Sequence, residues 1–354
     1  MKLKTLLLGS AAAFAVVGGA QAADLSIAEP VDYVRVCDAF GVGYWYIPGT
    51  DTCIKIGGKV EFIVNFHSLS NVNGSSTHSS TWDFVTEIGL NFTAKSMTEY
   101  GELIGYVALQ SKYDNNATGN NNSTPVTLDG AWLSLGPVLF GHTGSIQNID
   151  GGYSDNAWRP DNNVDQIRLS WAMSGFGIML GIEDPRDRWG TDLSLTYSMP
   201  DIVAAITASQ AMWDGKLTAG WADLSIGGVY GVAGSLTFKL DAIAPGDALR
   251  IAGAFGTGRM FLGMPTALGA NGNTMWTAFG SFQHYFAPTV SAALTGTYAA
   301  DSTAGTAAWG IGANLVWAPV TGFSTTLQGT YVVNTSTPAT PGVWAAKVAV
   351  KRTW

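Results

Sequence analysis

Long apolar runs are almost missing from this chain. The one apolar block, Leu6 to Val17, is short, and nothing after it approaches the ~20 apolar residues that a bilayer-spanning helix needs, which argues against a helical membrane protein. Charge is also scarce: Asp, Glu, Lys and Arg make up 12% of the chain, against about 25% in an ordinary soluble domain. Bases are the scarcer sign, 18 against 26 acids, so nucleic acid is not an expected partner. The acids are dispersed without a long like-charge run, so they do not form an acidic disordered tail. Histidine occurs four times, as His67, His78, His142 and His284, and no HExxH, phosphate-loop or nucleotide fingerprint is present. No catalytic centre, cofactor or metal is therefore expected. His142 and Ser145 echo the His–Ser pair of some outer-membrane lipases, but their spacing supplies neither an orienting third group nor an oxyanion donor.

Cysteine is limited to Cys37 and Cys53. The first residues explain how to read them. Lys2 and Lys4 precede the apolar block and Ala20-Gln21-Ala22 follows it, the pattern of a secretory signal peptide over 1–22 cleaved after Ala22. Without Lys2 and Lys4 the chain keeps 16 bases against 26 acids, a formal charge of −10. Secretion means an oxidising compartment, so a Cys37–Cys53 disulfide is expected, closing the segment 23–53 ahead of the first strand. Loop closure of this size contributes roughly 3 kcal/mol in the chain-entropy picture.

What the chain does have is apolar and aromatic: 47% hydrophobic residues, with Gly 44, Trp 13, Tyr 12 and Phe 15. Such a chain without a spanning helix fits a transmembrane β-barrel, where apolar residues occupy every second strand position. In 54–66 the even positions are Ile54, Ile56, Gly58, Val60, Phe62, Val64 and Phe66, while the odd ones include Lys55, Lys59, Glu61 and Asn65. Trp82, Phe84, Thr86, Ile88, Leu90 and Phe92 repeat the alternation. A half-buried soluble strand alternates too, but runs about five or six residues, whereas these run ten or more. Aromatics also bracket one face: Trp309 and Trp317 flank Ile311, Ala313 and Leu315, and Phe323 and Tyr331 flank Thr325 and Leu327. Eight residues of tilted strand span about 20 Å, close to the apolar band between two aromatic girdles.

Sixteen strands are expected, at 54–66, 81–96, 101–112, 126–136, 138–143, 166–174, 176–184, 201–210, 216–223, 229–240, 248–257, 276–285, 290–299, 307–317, 323–333 and 343–354. The segment 191–199 also alternates but is assigned to a connection, because such a barrel needs an even strand count. Connections after odd-numbered strands are mostly long and those after even-numbered strands short, which puts both termini on the short-turn, periplasmic side. Terminal Trp354 is of the kind presented to the outer-membrane assembly machinery.

The motifs AEPVDYVRVCDAFG at 28–41 and YIPGTDTC at 46–53, resumed by IAPGD at 243–247, resemble the alphaproteobacterial (rhizobial and brucella-type) porin family. The resemblance implies a barrel at 54–354 in the outer membrane, among lipid and lipopolysaccharide. It also implies a homotrimer with the third long connection, 144–165, folded into the lumen. Its expected function is a water-filled passive channel for ions and small hydrophilic solutes. The alternatives are a solute-selective porin for sugars or peptides, with Tyr106, Phe279 and Tyr285 as candidate inward aromatics, and a structural or adhesive barrel with a closed lumen. Candidate constriction residues are Asp150, Asp155, Asp161, Asp165 and Arg159 on the loop, and Lys55, Lys59 and Arg168 on the inner wall. Acids facing bases would set a transverse field favouring polar solutes. The loop's net charge of −3 predicts a mild cation preference, unless wall bases cancel it.

Overall fold

In the computed structural model, residues 35–68, 81–114, 125–155, 157–190, 196–265, 268–335 and 342–354 are described; the expected signal peptide and His78 lie outside them. Period-two alternation becomes sixteen antiparallel strands: β1 (Cys53–His67), β2 (Trp82–Thr98), β3 (Gly101–Asp114), β4 (Thr127–Leu135), β5 (Val138–Gly144), β6 (Asn163–Met173), β7 (Phe176–Glu183), β8 (Asp201–Ser209), β9 (Trp213–Leu224), β10 (Gly227–Lys239), β11 (Ala248–Gly256), β12 (Met275–Ala287), β13 (Val290–Asp301), β14 (Thr306–Val320), β15 (Phe323–Asn334) and β16 (Val343–Thr353). Each pairs with its sequence neighbours, and β16 pairs with β1 through Val348↔Val64 and Val350↔Phe62, so the wall is closed. All strand ends fall within three residues of those read from the sequence. One difference matters. β6 begins at Asn163, so the third long connection is 145–162 and Asp165 belongs to a strand.

The outward face carries the apolar half of the pattern. On β14, Trp309, Ile311, Leu315 and Trp317 are exposed on the isolated chain while inward Ala308 is buried. Register gathers outward aromatics into a belt near the long-loop end. Tyr298 stands opposite Trp309, and Trp344 opposite Tyr331. The rings of Trp276 and Tyr298 stack at 5.0 Å, and those of Trp309 and Tyr331 meet edge-on at 6.0 Å. Arg352 points outward by parity near the other rim, where its guanidinium reaches the carbonyls of Thr321 and Thr353.

At the end that carries Trp354, the connections are short, as at Ser174–Gly175 and Thr321–Gly322. The Cys37–Cys53 disulfide is formed, with Cα atoms 6.1 Å apart. A two-residue strand, Trp45–Tyr46, pairs with the start of β1. Lys55 donates to the Val42 carbonyl at 3.3 Å, and the Lys95 ammonium lies 5.7 and 5.8 Å from the rings of Phe40 and Tyr44. Both lysines alternate with outward apolar residues, so the closed segment docks on the inner face of β1 and β2.

Two outcomes are expected. Leu327→Arg, on the outward face, should destabilise the barrel by about 2–4 kcal/mol in lipid, and Thr326→Arg, on the inward face, by clearly less; denaturant titration in vesicles reads both. Serine at both Cys37 and Cys53 should remove up to about 3 kcal/mol of local stability, seen as protease cleavage within 37–53 of a barrel that otherwise stays intact.

Candidate pore constriction

The third connection enters the lumen at a buried ionic knot. Glu183, the inward-facing end of β7, accepts hydrogen bonds from the Ser145 hydroxyl at 2.8 Å and the Ile146 amide at 2.8 Å. A short helix in the next connection, α1 (Pro185–Trp189), is capped by the Asp184 carboxylate, which accepts from the Arg186 amide at 2.8 Å. This helix inserts Arg188 between Glu183 and Asp201, and all three side chains are buried. Trp189 donates to Asp201 at 3.1 Å and meets Phe261 edge-on at 5.2 Å. Two consecutive inward connections are thereby fastened to the ends of β7 and β8.

From this root the loop follows the inner wall of β9 to β16. Gln147 donates to the carbonyls of Gly231 and Phe261 at 3.3 and 3.1 Å. Lys216 on β9 donates to the Asn148 carbonyl at 2.6 Å, and Arg250 on β11 to the Gly151 carbonyl. The Tyr153 amide donates to Ser281 of β12 at 2.8 Å, the Ser154 hydroxyl to Thr295 of β13 at 2.8 Å, and Asn314 of β14 to the Tyr153 carbonyl at 2.7 Å. Ile149 and Trp158 pack with Leu262, Met264 and Met275, an apolar cluster inside the barrel. The short 3₁₀ turn Arg259–Leu262 completes this packing. Gly263, which ends it with φ +63°, lies where any side chain would strike the Arg159 carbonyl.

The loop acids meet bases. Asp150 lies 3.5 Å from Arg250, Asp155 2.6 Å from Lys347 of β16, and Asp161 pairs with Arg159 of the loop itself. Partial desolvation would raise the Asp155 carboxyl, but the hydrogen bond and charge of Lys347, aided by Gln328 and Arg159, hold it below the ordinary carboxylate value. The other candidates lie elsewhere. Lys55 belongs with the disulfide-closed segment at the terminal end. Lys59 faces the lumen from β1, between Glu61 at 3.3 Å and Glu87 at 3.1 Å. Arg168 faces inward beneath the loop root, its Nε without a hydrogen-bond partner among the described residues. Asp165 is outward by parity, next to outward Ile167, and pairs with His142 at 3.2 Å. The wall bases that touch the loop, Lys216, Arg250 and Lys347, were not singled out from the sequence. Alternation places each inward, but only the loop's path shows which inward bases it meets.

Opposite the loop, the inner faces of β1–β3 are ionic and solvated. The side chains of Lys59, Glu87 and Glu102 stay 38%, 33% and 35% exposed. Tyr106 stacks on inward Trp132 at 5.3 Å, whereas Phe279 is buried and Tyr285 packs by Gly246. His142 and Ser145 do not form a pair: the serine hydroxyl is buried and given to Glu183, while the imidazole faces Asp165.

Comparison with known proteins agrees with this architecture. The chain is 31% identical over 250 residues to the porin Omp2b of Brucella suis, covering 64% of this chain and 65% of that one. It is 45% identical over 167 residues to the protein y4fJ of Sinorhizobium fredii, covering 42% and 48%. The matches thus span between about half and two thirds of these relatives' length. Among solved structures, the outer membrane channel DcaP of Acinetobacter baumannii superposes with a TM-score of 0.69 at 14% identity, covering 87% of this chain and 99% of that one. An anion-selective porin from Comamonas acidovorans superposes at 0.58 with 11% identity, covering 86% and 100%; at such identities the likeness is one of fold. The model of the Porin subfamily matches residues 24–351, nearly the whole chain, and the protein belongs to that family of outer-membrane barrels.

Proposed function

We propose that this chain is a passive, water-filled channel for ions and small hydrophilic solutes, one subunit of a trimer, delivered to the membrane by recognition of its terminal Trp354. The observation that carries the channel reading is the division of the wall: apolar residues outward, and on the inner face of β1–β3, beyond the docked closed segment, partly solvated charges at Lys59 and Glu87 beside Glu61. Family and fold are those of a channel rather than an enzyme. The loop narrows the lumen from the side of β9–β16 and leaves ionic groups on both sides of the gap, so bound water is exchanged for polar partners only by polar solutes. The trimer and the assembly signal rest on the family resemblance alone.

The charge pairing refines the selectivity. Arg250 and Lys347 neutralise two of the loop's acids, and Arg159 a third, so the channel is weakly selective rather than clearly cation-preferring. A sugar preference is the second reading, favoured by the inward Tyr106–Trp132 stack, whose ring faces suit an apolar sugar face.

Planar-bilayer recording tests these points. The purified chain should conduct in steps of three; no conductance at all would remove the channel reading. Lys347→Met leaves Asp155 unpaired, and the reversal potential in a salt gradient should move toward cations. Because the Asp155 carboxyl is held below its ordinary value, it keeps its charge at pH values where an ordinary aspartate already protonates, and loses it only as pH falls through the lowered value. The difference in conductance between the wild-type chain and Asp155→Asn should therefore persist from pH 7 to about 4 and close only in stronger acid. Gly263→Ala should push the loop off its seat and alter single-channel conductance while the barrel still folds. If Tyr106→Ala leaves sugar permeation relative to chloride unchanged, the sugar reading fails.

A further inference from the structure

His142, Asp165 and Asp187 have no part in the pore. His142 on β5 and Asp165 on β6 stand directly opposite each other in the ladder, and both point away from the lumen, in line with outward Phe140 and Ile167. Helix α1 then brings Asp187 over them. The imidazole Nδ1 lies 3.2 Å from Asp165 Oδ1 and 3.8 Å from Asp187 Oδ2, and the three donor atoms all fall within 4.8 Å of one another. Two donors bound at about 2.0–2.2 Å to a tetrahedral ion stand roughly 3.4 Å apart. The observed separations bracket that value.

The surroundings favour an ion as well. Asp187 is held by accepting the Asp165 amide at 2.6 Å, and the Asp165 carbonyl accepts from the Asp184 amide at 2.8 Å, so the donors are positioned before any ligand arrives. Two carboxylates share one imidazole. Among the described residues no lysine or arginine is ion-paired with either, since Arg188 of the same helix is turned inward to Glu183 and Asp201. A cavity of 610 Å³ shares Asp165 and is bordered by Pro185, Arg186 and Ser198, which gives an ion and its remaining water a way in.

We propose that these three residues bind one divalent transition-metal ion at the outer rim of the barrel, with Zn²⁺ the best fit and water in the fourth position. Imidazole beside two carboxylates selects such an ion over Ca²⁺ or Mg²⁺, which favour oxygen-only shells of six or more ligands. The ion ties α1 to β5 and β6 from outside while Arg188 ties it to β7 and β8 from within. The site stands whether or not the lumen conducts.

The test uses the full folded chain in detergent. Equilibrium dialysis with Zn²⁺ should give one saturable site per chain, not displaced by excess Ca²⁺. Co²⁺ in its place should show the intense visible bands of a tetrahedral site. His142→Ala and Asp187→Asn should each weaken Zn²⁺ binding at least about tenfold and abolish the Co²⁺ bands, while His284→Ala changes neither. Bilayer conductance should be the same in all four proteins. Absence of saturable binding, or binding unchanged in both variants, overturns the proposal. Should a variant fail to fold, the wild-type chain decides. Zn²⁺ should protect His142 from diethylpyrocarbonate, and equal modification with and without the ion overturns the site.

Discussion

A peptide group inside hydrocarbon has no water to bond, and leaving one unpaired there costs several kcal/mol. Everything in this molecule follows from that constraint. Strands satisfy it only by pairing on both edges, so the sheet must close, here by β16 on β1. Closure sorts side chains into two environments along every strand. Lipid admits Trp309, Ile311 and Leu315; the enclosed water admits Lys59, Glu61 and Glu87. A polar lumen in an apolar slab is thus the consequence of backbone pairing plus alternation.

A closed wall of sixteen strands leaves an interior too wide for its own side chains to fill. The connections supply the filling. The loop 145–162, helix α1 and the turn Arg259–Leu262 pack as a small soluble core against β7 to β14, with Ile146, Trp189 and Phe261 at its centre. What holds this core in place is electrostatic. Arg188 with Glu183 and Asp201 is fully desolvated, and losing one member would leave an unpaired charge in a place without water. Further along, the loop is held through wall side chains that reach its carbonyls and carboxylates, so its position and the charge of the gap are set by the same residues.

The wall was legible in the sequence almost to the residue, because period-two patterning is local and each strand declares its own two faces. β6, β9 and β14 each run three residues past the expected end, and β6 is the one whose extension takes in a candidate residue. Asn163 to Asp165 continue a ladder with Gly144 and His142 that no apolar alternation announces. The disulfide was legible too, since only two cysteines were available. The loop inside the lumen was legible only as a region. Asp150, Asp155, Asp161 and Arg159 do lie in the inward loop, but their partners sit 100 to 192 residues away, or two residues away in the case of Arg159 and Asp161.

By itself, then, the order of residues determined the strand count, the faces and the closed segment, since each depends on neighbours within one or two strands, whereas the inward turn of the third long connection was expected from the family resemblance alone. The tertiary structure decided which bases meet that loop, that α1 turns Arg188 inward and Asp187 outward, and that His142 meets Asp165 and not Ser145. The physical reason is register. Only when the sheet closes does the path of a loop across the lumen become definite, and contacts across the lumen have no periodicity that a linear chain can carry.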